Sequence, residues 1–189
     1  MRKIVIFMHI SLDGFVGRLK GEMDWIQLED EIFDYAGKRT KEADTALYGR
    51  VTWQMMENYW PTAGDKPDAT KHDIEHSTWY NKVEKVVISK TVIEHGLKNT
   101  MIISENPVAE IRKIKNRQGK DILLLGSPSV VHMLLKENLI DEFWLFVNPV
   151  LLGEGIPLFG SFNEQINLKL VLSKTMKSGV VCLHYQKSE

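Results

Sequence analysis

The chain has 189 residues, 43% of them hydrophobic, with 24 Lys and Arg against 25 Asp and Glu. That apolar content excludes a disordered chain, and a domain of this length buries about 70% of its unfolded surface without a disulfide or metal staple. The net charge of -1 excludes a nucleic-acid or anionic-membrane surface as the main partner.

Met1-Arg2-Lys3 and the apolar run after it imitate a signal peptide, but Asp13 and Gly14 cut the run short with no cleavage pattern behind it. Ile4 to Ile10 reads instead as a strand buried on both faces, closed by the loop Ser11-Leu12-Asp13-Gly14. From Asp30 to Glu42 the apolar positions narrow to Ile32, Phe33 and Ala36, a helix with a charged outer face. Ala46-Leu47-Tyr48 is a short strand ending at Gly49-Arg50. Thr52 is placed to cap a helix over Trp53 to Tyr59, which Pro61 ends. Pro61 to Lys71 reads as a polar surface loop, and Asp73 to Asn81 as a helix.

Lys85 to Ser89 and Met101 to Ile103 are β-branched strands, and Pro107 opens a helix through Val108, Ile111 and Ile114. Ile122 to Leu125 is another buried strand, joined by Gly126-Ser127-Pro128-Ser129 to a helix running to about Asn138. Glu142 to Val147, Leu168 to Ser173 and Val180 to Tyr185 then read as strands with no helix between them. The whole predicts one α/β domain over 1–189, its sheet mostly parallel with antiparallel strands at the C-terminal end. No apolar run approaches the roughly 18 residues of a membrane span, and the single cysteine, Cys182, fits a reducing cytoplasm.

Three turns are chemically informative. Gly126-Ser127-Pro128-Ser129 follows a strand and opens a helix, with Ser127 suited to the N-cap and Pro128 to the first helical position. Free N–H groups and the positive helix end make such a turn either a capped connection or a phosphate seat. Gly49-Arg50-Val51-Thr52 repeats the pattern and adds a forked cation, while Ser89-Lys90-Thr91 closes a third strand. In a parallel sheet these strand ends share one edge, so together they predict a phosphate-bearing ligand.

His72-Asp73-Ile74-Glu75-His76 matches H-x-x-E-H, but a catalytic zinc needs a third ligand and a cleft. The segment reads as a solvated helix with two exposed histidines, and no metal is expected. Asp24 and Trp25, with Glu29 and Asp30, put carboxylates near a helix start. They serve either the helix dipole or a cleft beside Trp25.

The chain carries, in order, Ser11-Leu12-Asp13-Gly14-Phe15-Val16-Gly17, Leu47-Tyr48-Gly49-Arg50-Val51-Thr52-Trp53, Val87-Ile88-Ser89-Lys90-Thr91, Leu125-Gly126-Ser127 and Pro149-Val150-Leu151-Leu152-Gly153-Glu154-Gly155-Ile156-Pro157-Leu158-Phe159. In this order they resemble the dihydrofolate-reductase-like superfamily, above all the reductase (RibD C-terminal) domain of riboflavin biosynthesis and its stand-alone bacterial relatives. The resemblance implies a three-layer sandwich, a cytoplasmic oxidoreductase and NADPH. It places Gly49, Arg50 and Thr52 at the phosphates, Arg50 on the 2′-phosphate, and Ser89, Lys90 and Thr91 at the adenosine end. Gly126, Ser127, Pro128 and Ser129 fall at the pyrophosphate turn, where relatives commonly carry Gly-Gly. His9, Ile10, Asp13, Val16 and Gly17 fall around the nicotinamide, and Asp30 aligns with the substrate carboxylate of folate reductases as proton relay.

The implied reaction is hydride transfer to a small planar heterocycle or carbonyl compound. Two alternatives stand beside it: 5-amino-6-(5-phosphoribosylamino)uracil reductase, and a binding module that has lost turnover. The relatives also imply a homodimer, with Phe143 to Leu152 and the terminal strands as its expected contact.

Overall fold

A computed structural model describes residues 1–92, 96–160 and 164–188. Its elements, in chain order, are β1 (Ile4–Ser11), β2 (Phe15–Gly17), α1 (Asp30–Glu42), β3 (Ala43–Gly49), α2 (Arg50–Ala63), α3 (Lys71–Tyr80), β4 (Glu84–Ile88), β5 (Thr100–Ile103), α4 (Pro107–Asn116), β6 (Asp121–Leu125), α5 (Pro128–Lys136), β7 (Glu142–Asn148), β8 (Ile156–Pro157), β9 (Leu168–Thr175) and β10 (Val181–Lys187).

Eight strands form one sheet in the order β5-β4-β3-β6-β1-β7-β10-β9. The six from β5 to β7 are parallel, and β10 runs antiparallel to both β7 and β9. Alternation along each strand divides the apolar residues between two cores. Ile4, Ile6, Leu47, Ile122 and Leu124 face α4 and α5 through Ile111, Ile114, Val131 and Leu134. Val5, Ala46, Tyr48, Leu123 and Phe146 face α1, α2 and α3 through Ile32, Trp53 and Tyr80. The result is the expected three-layer sandwich, each helix held by the apolar stripe it buries.

Several boundaries differ from expectation. Pro61 does not end α2 but lies inside it, in a last turn that Ala63 anchors by complete burial. A proline so near the end forfeits only one ladder bond, and the packing of Ala63 outweighs that loss. The short strands β2 and β8 pair with each other across the chain and have too few residues to show a period. The expected dimer segment is mostly unavailable: β7 runs between β1 and β10, with Phe143, Trp144, Leu145 and Phe146 buried. Among the described residues no helix is long and apolar enough to cross a membrane.

Two connections place the site. After β3 the chain enters α2 on one face of the sheet, and after β6 it enters α5 on the other. Because β3 and β6 are neighbours, their C-terminal ends form the crevice where open α/β sheets bind ligands.

Candidate active site

Above that crevice lies a cavity of about 1050 Å³. One wall is built from turns. Gly49–Thr52, Ser89–Thr91 and Gly126–Ser129 all line it, at the ends of the adjacent strands β3, β4 and β6. Neither α2 nor α5 has a side-chain cap on its first N–H groups; α2 leaves its first amides without one, and α5, which opens on Pro128 and bonds the Val130 and Val131 N–H groups to the Ser127 carbonyl, leaves the Ser129 amide. Among the described residues, Arg50 and Lys90 are the only lysine or arginine on the lining.

The serine and threonine expected as caps do a different job. Ser127 adopts a left-handed conformation (φ +60°), which turns its hydroxyl away from its own helix. That hydroxyl accepts the Gly49 N–H at 2.8 Å and donates to the Leu125 carbonyl at 3.2 Å. The Thr52 hydroxyl lies within α2 rather than before it and accepts the Ser127 N–H at 3.0 Å. The two turns are thereby tied to each other. Gly126 (φ +56°) sits against this tie, and a Cβ there would stand 2.7 Å from Thr52 Cγ2. Ser89 Oγ accepts the N–H groups of Thr91 and Val92, both at 3.1 Å, which shapes the third turn.

The opposite wall is made of side chains from the helices. Ile32, Phe33 and Ala36 come from α1, Met55, Met56, Tyr59 and Trp60 from α2, and His72 and His76 from α3. Phe33 stacks on His72 with ring centres 4.2 Å apart, and Trp60 covers His76 at 4.0 Å. The two histidines are therefore not the exposed pair expected. The loop before α3 brings them inward against Trp60, which no local pattern encodes. Burial holds His72 below its ordinary pKa and lowers His76 to about 3. Neither ring nitrogen of His76 has a partner among the described residues. Among the described residues no histidine, cysteine or acid cluster fits a metal ion.

Among the described residues Asp73 is the one carboxylate on the lining, and both its oxygens are engaged. Oδ2 accepts from the Thr70 backbone and hydroxyl in a capping box, and Oδ1 accepts the Tyr59 hydroxyl at 3.1 Å. The floor is β1, which presents Phe7, Met8 and His9.

Thirteen of the fifteen residues expected around a cofactor line this cavity; Ile10 and Asp13 do not. Ile10 packs into the core beside α5. Asp13 closes a loop: it accepts from Ser11 Oγ at 2.6 Å and from the Leu152 and Gly153 N–H groups at 3.1 and 2.8 Å. The Ser11 hydroxyl bond, with these amides, holds its carboxyl below the usual range.

Asp30 is also a correction. It stands exposed at the first position of α1, outside the cavity, because the helix turns Ile32, Phe33 and Ala36 inward and leaves its acidic first turn in solvent. Glu29 lies elsewhere too, accepting the Ser178 N–H at 3.2 Å. Sequence reasoning missed Trp60, His72, His76 and Asn148. Of these only the histidine pair, by its i,i+4 spacing, carried a signal.

A mostly parallel sheet with antiparallel C-terminal strands, and glycine- and hydroxyl-bearing turns gathered at one edge beside an apolar cavity, defines an α/β sandwich of reductase-like architecture. The chain belongs to the RibD C-terminal domain family, whose model matches residues 2–182. It is 36% identical over 189 residues to the uncharacterized protein YyaP of Bacillus subtilis (strain 168), covering 97% of this chain and 94% of that one. A protein of Shewanella sp. PV-4 superposes with a TM-score of 0.77 at 21% identity, covering 99% of both chains. A pyrimidine reductase-like protein of Corynebacterium diphtheriae does so with 0.71 at 16% identity, covering 100% of this chain and 92% of that one. At those identities the structures attest the fold alone, the same α/β sandwich.

Proposed function

We propose that the protein is an NADPH-dependent reductase of a small, flat heterocyclic or carbonyl substrate that carries no phosphate. The observation that carries this reading is the division of one cavity between a wall of backbone amides with two cations and a wall of aromatic rings and thioethers.

The turn wall fits the cofactor. Bare helix starts at Arg50 and Ser129, and the cations of Arg50 and Lys90, suit a pyrophosphate and a 2′-phosphate. Val16 and Gly17, beside β1, then border the nicotinamide end. When bound, NADPH supplies the hydride. The chain itself holds the phosphates, excludes water with Met23, Met55, Met56 and Met133, and sandwiches a planar substrate against Phe33, Trp60 and His72.

Family membership favours a second reading, the 5-amino-6-(5-phosphoribosylamino)uracil reductase of riboflavin biosynthesis. The phosphate of such a substrate calls for a cation of its own, and Arg50 and Lys90 both stand on the turn wall. Growth of a riboflavin auxotroph carrying this chain would decide for that substrate. A third reading, a ligand-binding module without turnover, is favoured by the Ser127 amide, which Thr52 already occupies and which is lost to a pyrophosphate.

The deciding experiment is the thermal midpoint with NADPH, with NADH and with neither. Ligand at 100 times its dissociation constant stabilises by about 2.7 kcal/mol, several degrees for a domain of this size. We expect a clear rise with NADPH and a smaller one with NADH; no shift with either removes the reductase reading. Multiple turnovers of NADPH on any pterin, pyrimidine or aldehyde remove the module reading. A homodimer is part of the proposal, with the edge strand β9 as its contact, since Leu170 and Val171 are exposed there. Sedimentation equilibrium reads it, and a monomer at high concentration refutes it.

A further inference from the structure

The buried amide of Asn148, at the end of β7, has its orientation dictated by its neighbours. Oδ1 accepts the Gln27 N–H at 2.8 Å, while Nδ2 donates toward the carbonyls of Phe146 at 3.0 Å and Ile10 at 3.3 Å. Turning the amide over would set its NH₂ against the Gln27 N–H and its oxygen against two carbonyl oxygens. The chemistry therefore distinguishes the two ends.

Nδ2 also faces Nδ1 of His9 at 3.3 Å, so its two hydrogens are shared among three acceptors. A hydrogen on Nδ1 would meet the NH₂ of Asn148 head-on, so Nδ1 is an acceptor and the ring carries its proton on Nε2. The imidazolium, which bears both hydrogens, is opposed by the same contact, and burial lowers the ring's pKa to about 4. Phe146 stacks on the ring at 5.1 Å and 26°, which fixes its plane. Nε2 has no partner within the described chain and is not among the sealed polar atoms, and His9 lines the cavity floor. The floor thus presents one oriented N–H.

Among the described residues no free carboxylate lines the cavity to compete for that role, because both oxygens of Asp73 are engaged and Asp30 and Glu29 lie outside it. We propose, resting on the reductase reading above, that His9, held as its neutral Nε2–H tautomer by Asn148, donates the hydrogen bond that grips the carbonyl oxygen or imine nitrogen of the substrate. Bound NADPH would supply the hydride pair for the new C–H bond and would be left as the oxidised, positively charged nicotinamide. The π pair of the C=O or C=N group moves onto the heteroatom. Nε2–H stabilises that charge and keeps its own proton; a proton from solvent completes the alcohol or amine. A neutral imidazole polarising a carbonyl is a known electrophilic device. Asn148 is a positioning residue, acting only through His9.

The first readout is spectroscopic and needs no turnover. In nitrogen-15-labelled protein at neutral pH, with His9 assigned by comparison with His9→Gln, we expect a protonated Nε2 and a bare Nδ1. A protonated Nδ1, or a pattern averaged between the two tautomers, overturns the proposal. Asn148→Asp places a carboxylate against Nδ1 and is expected to draw a proton there; an unchanged His9 pattern overturns the role of Asn148. Should that variant not fold, the His9 variants still decide. With uncharged aldehydes, pterins and pyrimidines as acceptors, His9→Leu is expected to lower kcat by about 100-fold. The NADPH-induced thermal shift should stay, and His9→Gln, which keeps an N–H, should recover part of the rate. An unchanged kcat in His9→Leu overturns the proposal, as does the absence of wild-type turnover on every acceptor. The reductase reading fails separately, by the absence of any NADPH shift in the wild-type chain.

Discussion

The two walls of the cavity are built on opposite principles. The turn wall works through backbone: two uncapped helix starts, left-handed Gly126 and Ser127, and hydroxyls spent on tying the turns together. The helix wall works through side chains, with rings stacked on rings and hardly a hydrogen bond reaching into the space. A backbone wall recognises what every molecule of a cofactor shares, its phosphates, and has little freedom to change. A side-chain wall can be rewritten one residue at a time while the sheet beneath it stays as it is. On the proposed reading, the difference would let one sandwich keep a cofactor while its substrate changes.

That contrast can be broken most forcefully at Gly126. Ala there takes a left-handed backbone and drives its Cβ against Thr52, at 2.7 Å from Cγ2. We expect a loss of about 2–4 kcal/mol in urea unfolding, together with the NADPH shift. A loss under about 0.5 kcal/mol would show a pliable turn wall.

Acid should act on the other wall and the floor. His76 and His9 are buried neutral, with pKa values of about 3 and 4, whereas both titrate near the ordinary 6.5 once unfolded. Below 6.5 the unfolded chain binds protons that the folded chain refuses, so stability is whole above that pH and declines as pH falls toward the folded values. Each ring is expected to cost roughly 2 kcal/mol at pH 5 relative to pH 7. His76→Phe should flatten the profile by its share and, by removing two unpartnered nitrogens, leave the pH 7 stability equal or higher. Denaturation of both proteins at the two pH values checks it.

A smaller effect sharpens the turn wall. Arg50→Ala is expected to weaken NADPH about tenfold, roughly 1.4 kcal/mol, and to leave NADH unchanged in titration calorimetry. Equal loss for both would deny Arg50 the 2′-phosphate. The smallest effect belongs to Asp30→Asn, exposed and outside the cavity: stability within about 0.5 kcal/mol and an unaltered kcat. A large drop in kcat would return Asp30 to the chemistry.

How far the sequence could be read follows the same division. The turns at Gly49, Ser89 and Gly126 were legible because strand end, glycine or hydroxyl, and helix start lie within a few residues of each other, and the parallel order of the strands then brings them to one edge. The strands and the main helices were legible from apolar runs and spacing. What was not legible depends on partners far along the chain. Asn148 meets His9 across 139 positions, and whether Asp30 or Phe33 faces the cavity is decided by how α1 seats on the sheet. The caps misled for a related reason. Ser127 and Thr52 are good local caps, but 75 residues apart in sequence they found better partners in each other's turns.

That exchange between turns also bears on motion. The Gly49 amide is held by Ser127, and the Ser127 amide by Thr52, so neither helix start can fray by itself. Opening is a joint event, and the two amides should trade their hydrogens for deuterium at one shared, slow rate. On the proposed reading, a phosphate would meet neighbouring free amides, such as that of Ser129, in a wall already at rest. The ordering was done when the chain folded, and the ligand inherits it.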